Sequence, residues 1–317
     1  MPRVLTPLNA FTPIISSTPV THNAEQLVAT NHIEINYDSF GDKSHPAILL
    51  IMGLATQMIY WDEQFCRLLA SQGYWVIRFD NRDNGKSTWL DSMPPPTSFA
   101  LLKNAVFKRP LGAAYLLSDM MKDTVGLLDA LHLESAHVVG ASMGGMIAQE
   151  LAIHHPHRVK SLTSIMSTTG NRKLPKPSAK FGFKMLKPPP KDVNKAVTYG
   201  MQVWRLIHGE YYSFDRQKVH ALITRALKRG FNPRGNTRQL AAILDSPDRT
   251  QALSTLTVPS LIIHGEDDPL VLVVCGYATA KAIPNAKIKI YPGMGHTIPN
   301  QLYEDMTTQI LEHIRTS

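Results

Sequence analysis

From residue 25 onward, apolar and polar positions fall into two alternating rhythms. Short apolar runs bounded by Gly, Pro or charge predict strands, and stretches with apolar positions every three or four residues predict helices. Ala47-Ile48-Leu49-Leu50-Ile51-Met52, set between Pro46 and Gly53, is apolar throughout, as expected of a strand buried on both faces. Residues 25–40 predict a two-strand hairpin, with Asp38 and Asp42 suited to its turns. Further strands are expected over 74–80, 136–140, 160–167, 260–264 and 286–291, and helices over 59–72, 115–132, 144–155, 270–283 and 300–314. Three prolines at 94–96 predict a loop. Alternation of this kind predicts an α/β fold: a mostly parallel sheet with crossover helices on both faces.

The rhythm fails between residues 170 and 250. That segment has no buried-strand pattern, carries Pro175, Pro177 and Pro188-Pro189-Pro190, and predicts helices near 192–208 and 215–229. An insertion of about eighty residues between two strands of one sheet reads as a helical cap. The expected organisation is therefore an extension over 1–24, a core over 25–169 and 251–317, and a cap over 170–250. Phe181, Phe183, Met185, Leu186, Met201, Trp204 and Leu206 would serve either as the cap's own core or as the lining of an apolar pocket.

Charge refines this picture. The formal net charge is +8, but it is unevenly spread: residues 170–250 hold 17 Lys and Arg against 5 Asp and Glu, and the remainder holds 16 against 20. A basic, solvated helical insert accounts for the imbalance. No helix-turn-helix, RNP or zinc-finger pattern accompanies it, so nucleic acid is not an expected partner. With 44% hydrophobic and 18% charged residues, and no apolar run near the ~18–20 residues that span a bilayer, an integral membrane protein is not expected either. Pro2, Pro7, Pro13 and Pro19 interrupt what would have to be a secretory h-region, so the expected location is cytoplasmic. Cys66 and Cys275, far apart and without metal-spaced neighbours, read as small buried hydrophobes. His154, His155 and His157 are divided by Pro156 and lack metal-ligand periodicity. No metal or cofactor is expected.

Gly140-Ala141-Ser142-Met143-Gly144 matches G-x-S-x-G, and it lies directly after a predicted strand and before a predicted helix. A turn sharp enough to raise a serine hydroxyl above a sheet edge crowds its neighbours, and glycine relieves that crowding. The segment through Gly145 lacks the Lys-Ser/Thr ending of a phosphate loop. A serine needs a base and an orienting carboxylate to act as nucleophile. Glu266, Asp267 and Asp268 follow the strand that ends at His264, and His296 follows the strand that ends at Tyr291. All would sit on loops at the carboxyl edge of a parallel sheet, in the chain order serine, acid, histidine. His264 itself, at the end of a buried strand, reads as a core histidine. Asp80, Arg82 and Asp83 read as a structural polar turn.

From about residue 30 to 310 the chain resembles the α/β-hydrolases. Ile51-Met52-Gly53-Leu54, Trp61-Asp62, Arg78-Phe79-Asp80-Asn81-Arg82-Asp83-Asn84-Gly85-Lys86-Ser87, Gly140 to Gly145 and Pro292-Gly293-Met294-Gly295-His296 are similar to bacterial esterases of the aclacinomycin methylesterase type. The resemblance implies Ser142 as nucleophile, His296 as base, and Asp268 as the acid by the G-x-x-D spacing from Gly265. It also implies an oxyanion hole from the backbone N–H groups of Leu54 and Met143. Many relatives carry His where this chain has Met52, which removes one brace from the loop before Leu54. The activity implied is hydrolysis of carboxylic esters of short to medium acyl chain through an acyl-enzyme, by a monomer or homodimer acting on a small-molecule ester. The same three residues would also suit an acyltransferase, C–C hydrolase, peptidase or perhydrolase; a non-catalytic ligand-binding homologue is the alternative they argue against, since mere binding requires none of them. A serine at position 142 argues against the relatives that carry Asp there.

Overall fold

A computed structural model describes residues 19–107, 109–177, 190 and 192–317. Eight strands form one sheet: β1 (His22–Thr30), β2 (Ile33–Phe40), β3 (Ala47–Ile51), β4 (Trp75–Phe79), β5 (Ala136–Ala141), β6 (Val159–Ile165), β7 (Ser260–Gly265) and β8 (Lys287–Tyr291). Their spatial order is β1-β2-β4-β3-β5-β6-β7-β8. β2 runs antiparallel to both β1 and β4, and every later pairing is parallel. This is the mostly parallel sheet the alternation predicts, in the α/β-hydrolase order of elements. β1 takes in His22, Asn23 and Ala24, ahead of the hairpin start read from the pattern.

Side-chain alternation across β3 shows why an unbroken apolar run was needed. Ala47, Leu49 and Ile51 face a core shared with Ile77, Val138, Leu127 and Ile147, while Ile48 and Leu50 face a second core with Val76, Val139, Phe65 and Met306. Helices α3 (Leu117–Ala130) and α4 (Met143–His154) cover the first face; α1 (Glu63–Ala70) and the final helix (Tyr303–Arg315) cover the second.

The chain order reverses at β3, whose two neighbours are β4 and β5. The loops leaving the carboxyl ends of β3 and β5 therefore face each other across the crevice where such sheets bind ligands. One loop starts at Gly53 and the other is Ser142.

A helix at Ser98–Phe107, here α2, was not anticipated from the prolines that precede it. Between β6 and β7, which pair directly from Leu162↔Ser260 to Ile165↔Ile263, the chain makes a helical insertion. It contains α5 (Val193–His208), α6 (Arg216–Arg229) and α7 (Pro233–Asp245), followed by the short α8 (Thr250–Leu253). Neither α7 nor α8 is among the helices the pattern predicts. The start of α7 is nonetheless written locally: the Asn232 side chain accepts from Gly235 N at 2.9 Å, and Pro233 occupies the first turn. Phe181, Phe183, Met185 and Leu186 lie outside the described residues. Trp204 of α5 stacks on Tyr60 at 5.1 Å, so this side chain packs against the core.

The insertion's positive charge is not simply solvated. Arg229 pairs with Glu25 and Asp80 at 2.9 and 2.8 Å, Lys218 with Asp62 at 2.8 Å, Arg225 with Glu63 at 3.3 Å and Arg249 with Glu150 at 3.5 Å. Arg238 grips Asp83 with two bonds, of 2.7 and 2.5 Å. Cationic insertion and acidic core are complementary partners. Among the described residues, no helix is long and apolar enough to cross a membrane.

Candidate active site

Ser142 sits between β5 and α4 with φ 55° and ψ −118°, a backbone state that L-residues rarely adopt. It persists because the surroundings determine it. Ser142 N donates to Ile165 O at 2.9 Å, and Ser142 O accepts from Gly145 N at 3.0 Å and from Ser167 Oγ at 2.8 Å. A Cβ at Gly140 would overlap the carbonyl of Gly144, and one at Gly144 would overlap the carbonyl oxygen of Ile51. The two glycines thus let α4 start this close to β3 and β5.

His296 lies on the loop after β8, almost fully buried. Its Nε2 is 3.0 Å from Ser142 Oγ, and its Nδ1 is 2.6 Å from Asp268 Oδ2. With the imidazole neutral, Nδ1–H donates to the carboxylate and Nε2 accepts from the serine hydroxyl. Asp268 is buried, whereas Glu266 and Asp267 are exposed, so the loop after β7 delivers only the third of its carboxylates to the histidine. The other Asp268 oxygen accepts the backbone N–H groups of Leu270 and Val271, each at 2.8 Å. Burial favours the neutral acid, but the charge and hydrogen bond of His296, with those of His264 beside it, outweigh burial and hold the Asp268 carboxyl at about 2.

The loop after β3 lies against the serine: a Cβ on Gly53 would sit 3.1 Å from Ser142 Cβ. Leu54 follows it directly. Met143 opens α4, where the first amides have no carbonyl partner within the helix and the dipole's positive end favours negative charge. Met52, at the position where a histidine brace was missing, has its carbonyl held instead by Asn81 Nδ2 at 2.9 Å.

The remaining polar residues fall mostly where the sequence placed them. His264 is fully buried and its Nε2–H donates to Val271 O at 2.7 Å. Asp80 accepts from Met58 N and Lys86 N at 2.8 and 3.0 Å, and Arg82 is paired with Asp123 at 2.6 Å, so the turn after β4 is a structural hub. His154 pairs with Glu150 at 3.2 Å on the outside of α4. Cys66 and Cys275 are buried and free, and burial pushes the Cys66 thiol up to about 12.

Pattern reading missed contacts that the insertion makes with the site. The last carbonyls of α5, Ile207 O and His208 O, accept from His296 N at 2.6 Å and Gly295 N at 3.3 Å. His208 Nδ1 also lies 2.8 Å from Thr297 Oγ1. Gln57, just past the Leu54 loop, donates to Ala226 O and Gly230 O at 2.7 and 2.8 Å and so caps the end of α6. No sequence spacing encodes these bonds.

Comparison with known proteins agrees with the architecture. A family described as alpha/beta hydrolase fold matches residues 46–196. Rhodomycin D methylesterase DnrP of Streptomyces peucetius is 26% identical over 92% of this chain and 98% of its own length. A putative carbamate hydrolase, RutD of Variovorax paradoxus, is 26% identical over 83% of this chain and 89% of its own. The solved enol-lactonase from Burkholderia xenovorans superposes with a TM-score of 0.71 at 20% identity, covering 92% of this chain and 100% of that one.

Proposed function

For this chain of α/β-hydrolase fold, we propose serine-dependent hydrolysis of carboxylic esters of short to medium acyl chain, with Ser142, His296 and Asp268 as the catalytic set. The observation that carries the reading is the unbroken line Ser142 Oγ–His296 Nε2 at 3.0 Å and His296 Nδ1–Asp268 Oδ2 at 2.6 Å. Similarity to a methylesterase along nearly the full length of both chains supports ester as the bond attacked.

In this reading Ser142 Oγ bonds to the acyl carbon while its proton passes to His296 Nε2. The carbonyl electron pair moves onto oxygen, and the N–H groups of Leu54 and Met143 hold that oxyanion. Asp268 remains ionised, fixes the tautomer and stabilises the imidazolium. Collapse of the adduct breaks the ester C–O bond, and His296 returns its proton to the departing alcohol. Water, deprotonated by His296, then attacks the acyl-enzyme; the acid leaves and Ser142 regains its proton. No step draws on a metal or cofactor. The insertion acts as the cap over this site, with Trp204 on its inner side.

The test is hydrolysis of p-nitrophenyl acetate and butyrate. Wild-type protein should turn both over, and Ser142→Ala should lose the activity. Full activity in the variant would end the proposal.

A further inference from the structure

An oxyanion amide is useful only if its peptide plane is held before the substrate arrives. The loop after β3 has little of its own to hold it. Gly53 contributes no side chain, and Ala55 occupies the left-handed region at φ 59° without being glycine, a state that costs an L-residue free energy. Two successive planes need fixing. The first, Gly53–Leu54, carries the proposed donor; its carbonyl accepts from Thr56 Oγ1 at 2.9 Å and Thr56 N at 3.4 Å. In a trans peptide the N–H points opposite to the carbonyl, so Thr56 sets one limit on where Leu54 N–H is aimed. The second plane, Leu54–Ala55, is held from outside the loop: Ala55 N donates to Gln239 Oε1 at 3.0 Å.

Gln239 belongs to α7 of the insertion, 184 positions along the chain. It is fully buried and both ends of its amide are used, since Nε2 donates to Arg82 O at 2.8 Å. The amide orientation is unambiguous, because Ala55 N requires an acceptor and Arg82 O a donor. The neighbouring Arg238, also fully buried, fastens the same turn of α7 to Asp83 by two bonds and to Met93 O at 2.9 Å. Gln239 is therefore a fixed post.

We propose that Gln239 is a positioning residue for the oxyanion hole: through Ala55 N it holds the Leu54 amide on target, which makes the cap part of the catalytic apparatus. The inference rests on the serine-esterase reading of the site. It does not require Gln239 to touch the substrate.

The experiment compares wild type, Gln239→Met and Gln239→Glu, with every rate referred to serines titrated by a fluorophosphonate, so that only folded sites are counted. Gln239→Met keeps the length and loses the acceptor. It should lower kcat by about 10- to 100-fold with little change in KM, since the lost stabilisation belongs to the transition state. A trifluoromethyl ketone, which forms a hemiketal oxyanion on Ser142, should lose affinity by the same factor. The corresponding unreactive alcohol should bind as before. Gln239→Glu keeps an acceptor for Ala55 N but disturbs the bond to Arg82 O. It should retain near-wild-type ketone affinity even if its Tm falls, which a role confined to anchoring the cap would not produce. Wild-type kcat in Gln239→Met overturns the inference, as do equal losses for ketone and alcohol. If Gln239→Met does not fold, a 10-fold or larger ketone loss in Gln239→Glu overturns it as well. A wild-type protein that neither hydrolyses ester nor takes up the ketone instead removes the esterase reading.

Discussion

At the scale of single residues, the proposed mechanism is a sequence of constraints on one proton. Ser142 has to be lifted above the sheet edge, which its φ of 55° achieves, and His296 has to present Nε2, which the 2.6 Å bond from Nδ1 to Asp268 enforces. Asp268→Asn should therefore keep the fold and lower kcat by about 10⁴-fold, because the amide accepts or donates with equal ease and admits the wrong tautomer. Steady-state kinetics beside a melting curve checks both halves, and an asparagine variant within a few-fold of wild type would contradict the assigned role. The acid side has a defined sign. Held at about 2 against an ordinary 3.8, Asp268 adds stability that is complete above about pH 4 and fades as pH falls toward 2. The acid limb of activity at milder pH therefore does not come from this carboxyl. Legibility at this scale was uneven. Ser142 and His296 stand in short motifs, whereas Asp268 was separated from Glu266 and Asp267 only by resemblance, because all three occupy one turn. Burial is what distinguishes it.

Elements position these residues by how closely they approach. α4 begins almost in contact with β3, and Gly144 is the residue that permits it: any Cβ there meets backbone, which cannot rotate aside. Gly144→Ala should destabilise the protein by about 3 kcal/mol or more, since an overpacked backbone contact has no inexpensive relaxation. Urea unfolding of the variant against wild type measures this, and a loss below about 1 kcal/mol would contradict the geometry. The strands were legible because a sheet buried on both faces demands apolar runs, unbroken in β3 and interrupted only by His137 in β5. α2 and α7 were not. α2 follows three prolines and is apolar without a polar face, so it has no helical period to read. α7 begins with an Asn-Pro start signal that the surrounding loss of strand rhythm obscured.

For the molecule as a whole, the insertion and the core divide the work. The core brings together Ser142, Asp268 and His296. The insertion clamps the loops that carry two of the proposed functions, through Ile207 O on the histidine loop and through Gln57 and Gln239 on the oxyanion loop. Its excess of Lys and Arg has a matching set of acids beneath it, among them Glu25, whose carboxyl Arg229 and Lys86 hold at about 2 against the penalty of partial burial. This long-range complementarity was visible in the sequence as a charge imbalance, but the imbalance alone does not name the pairs. If the assembled site makes Ser142 a nucleophile, brief exposure to a fluorophosphonate should change the intact mass of the protein. The wild-type chain should gain one phosphonyl group, mapped to the peptide containing Ser142, with none on Ser142→Ala. An unmodified wild-type protein, or equal labelling of the variant, would contradict that role for Ser142.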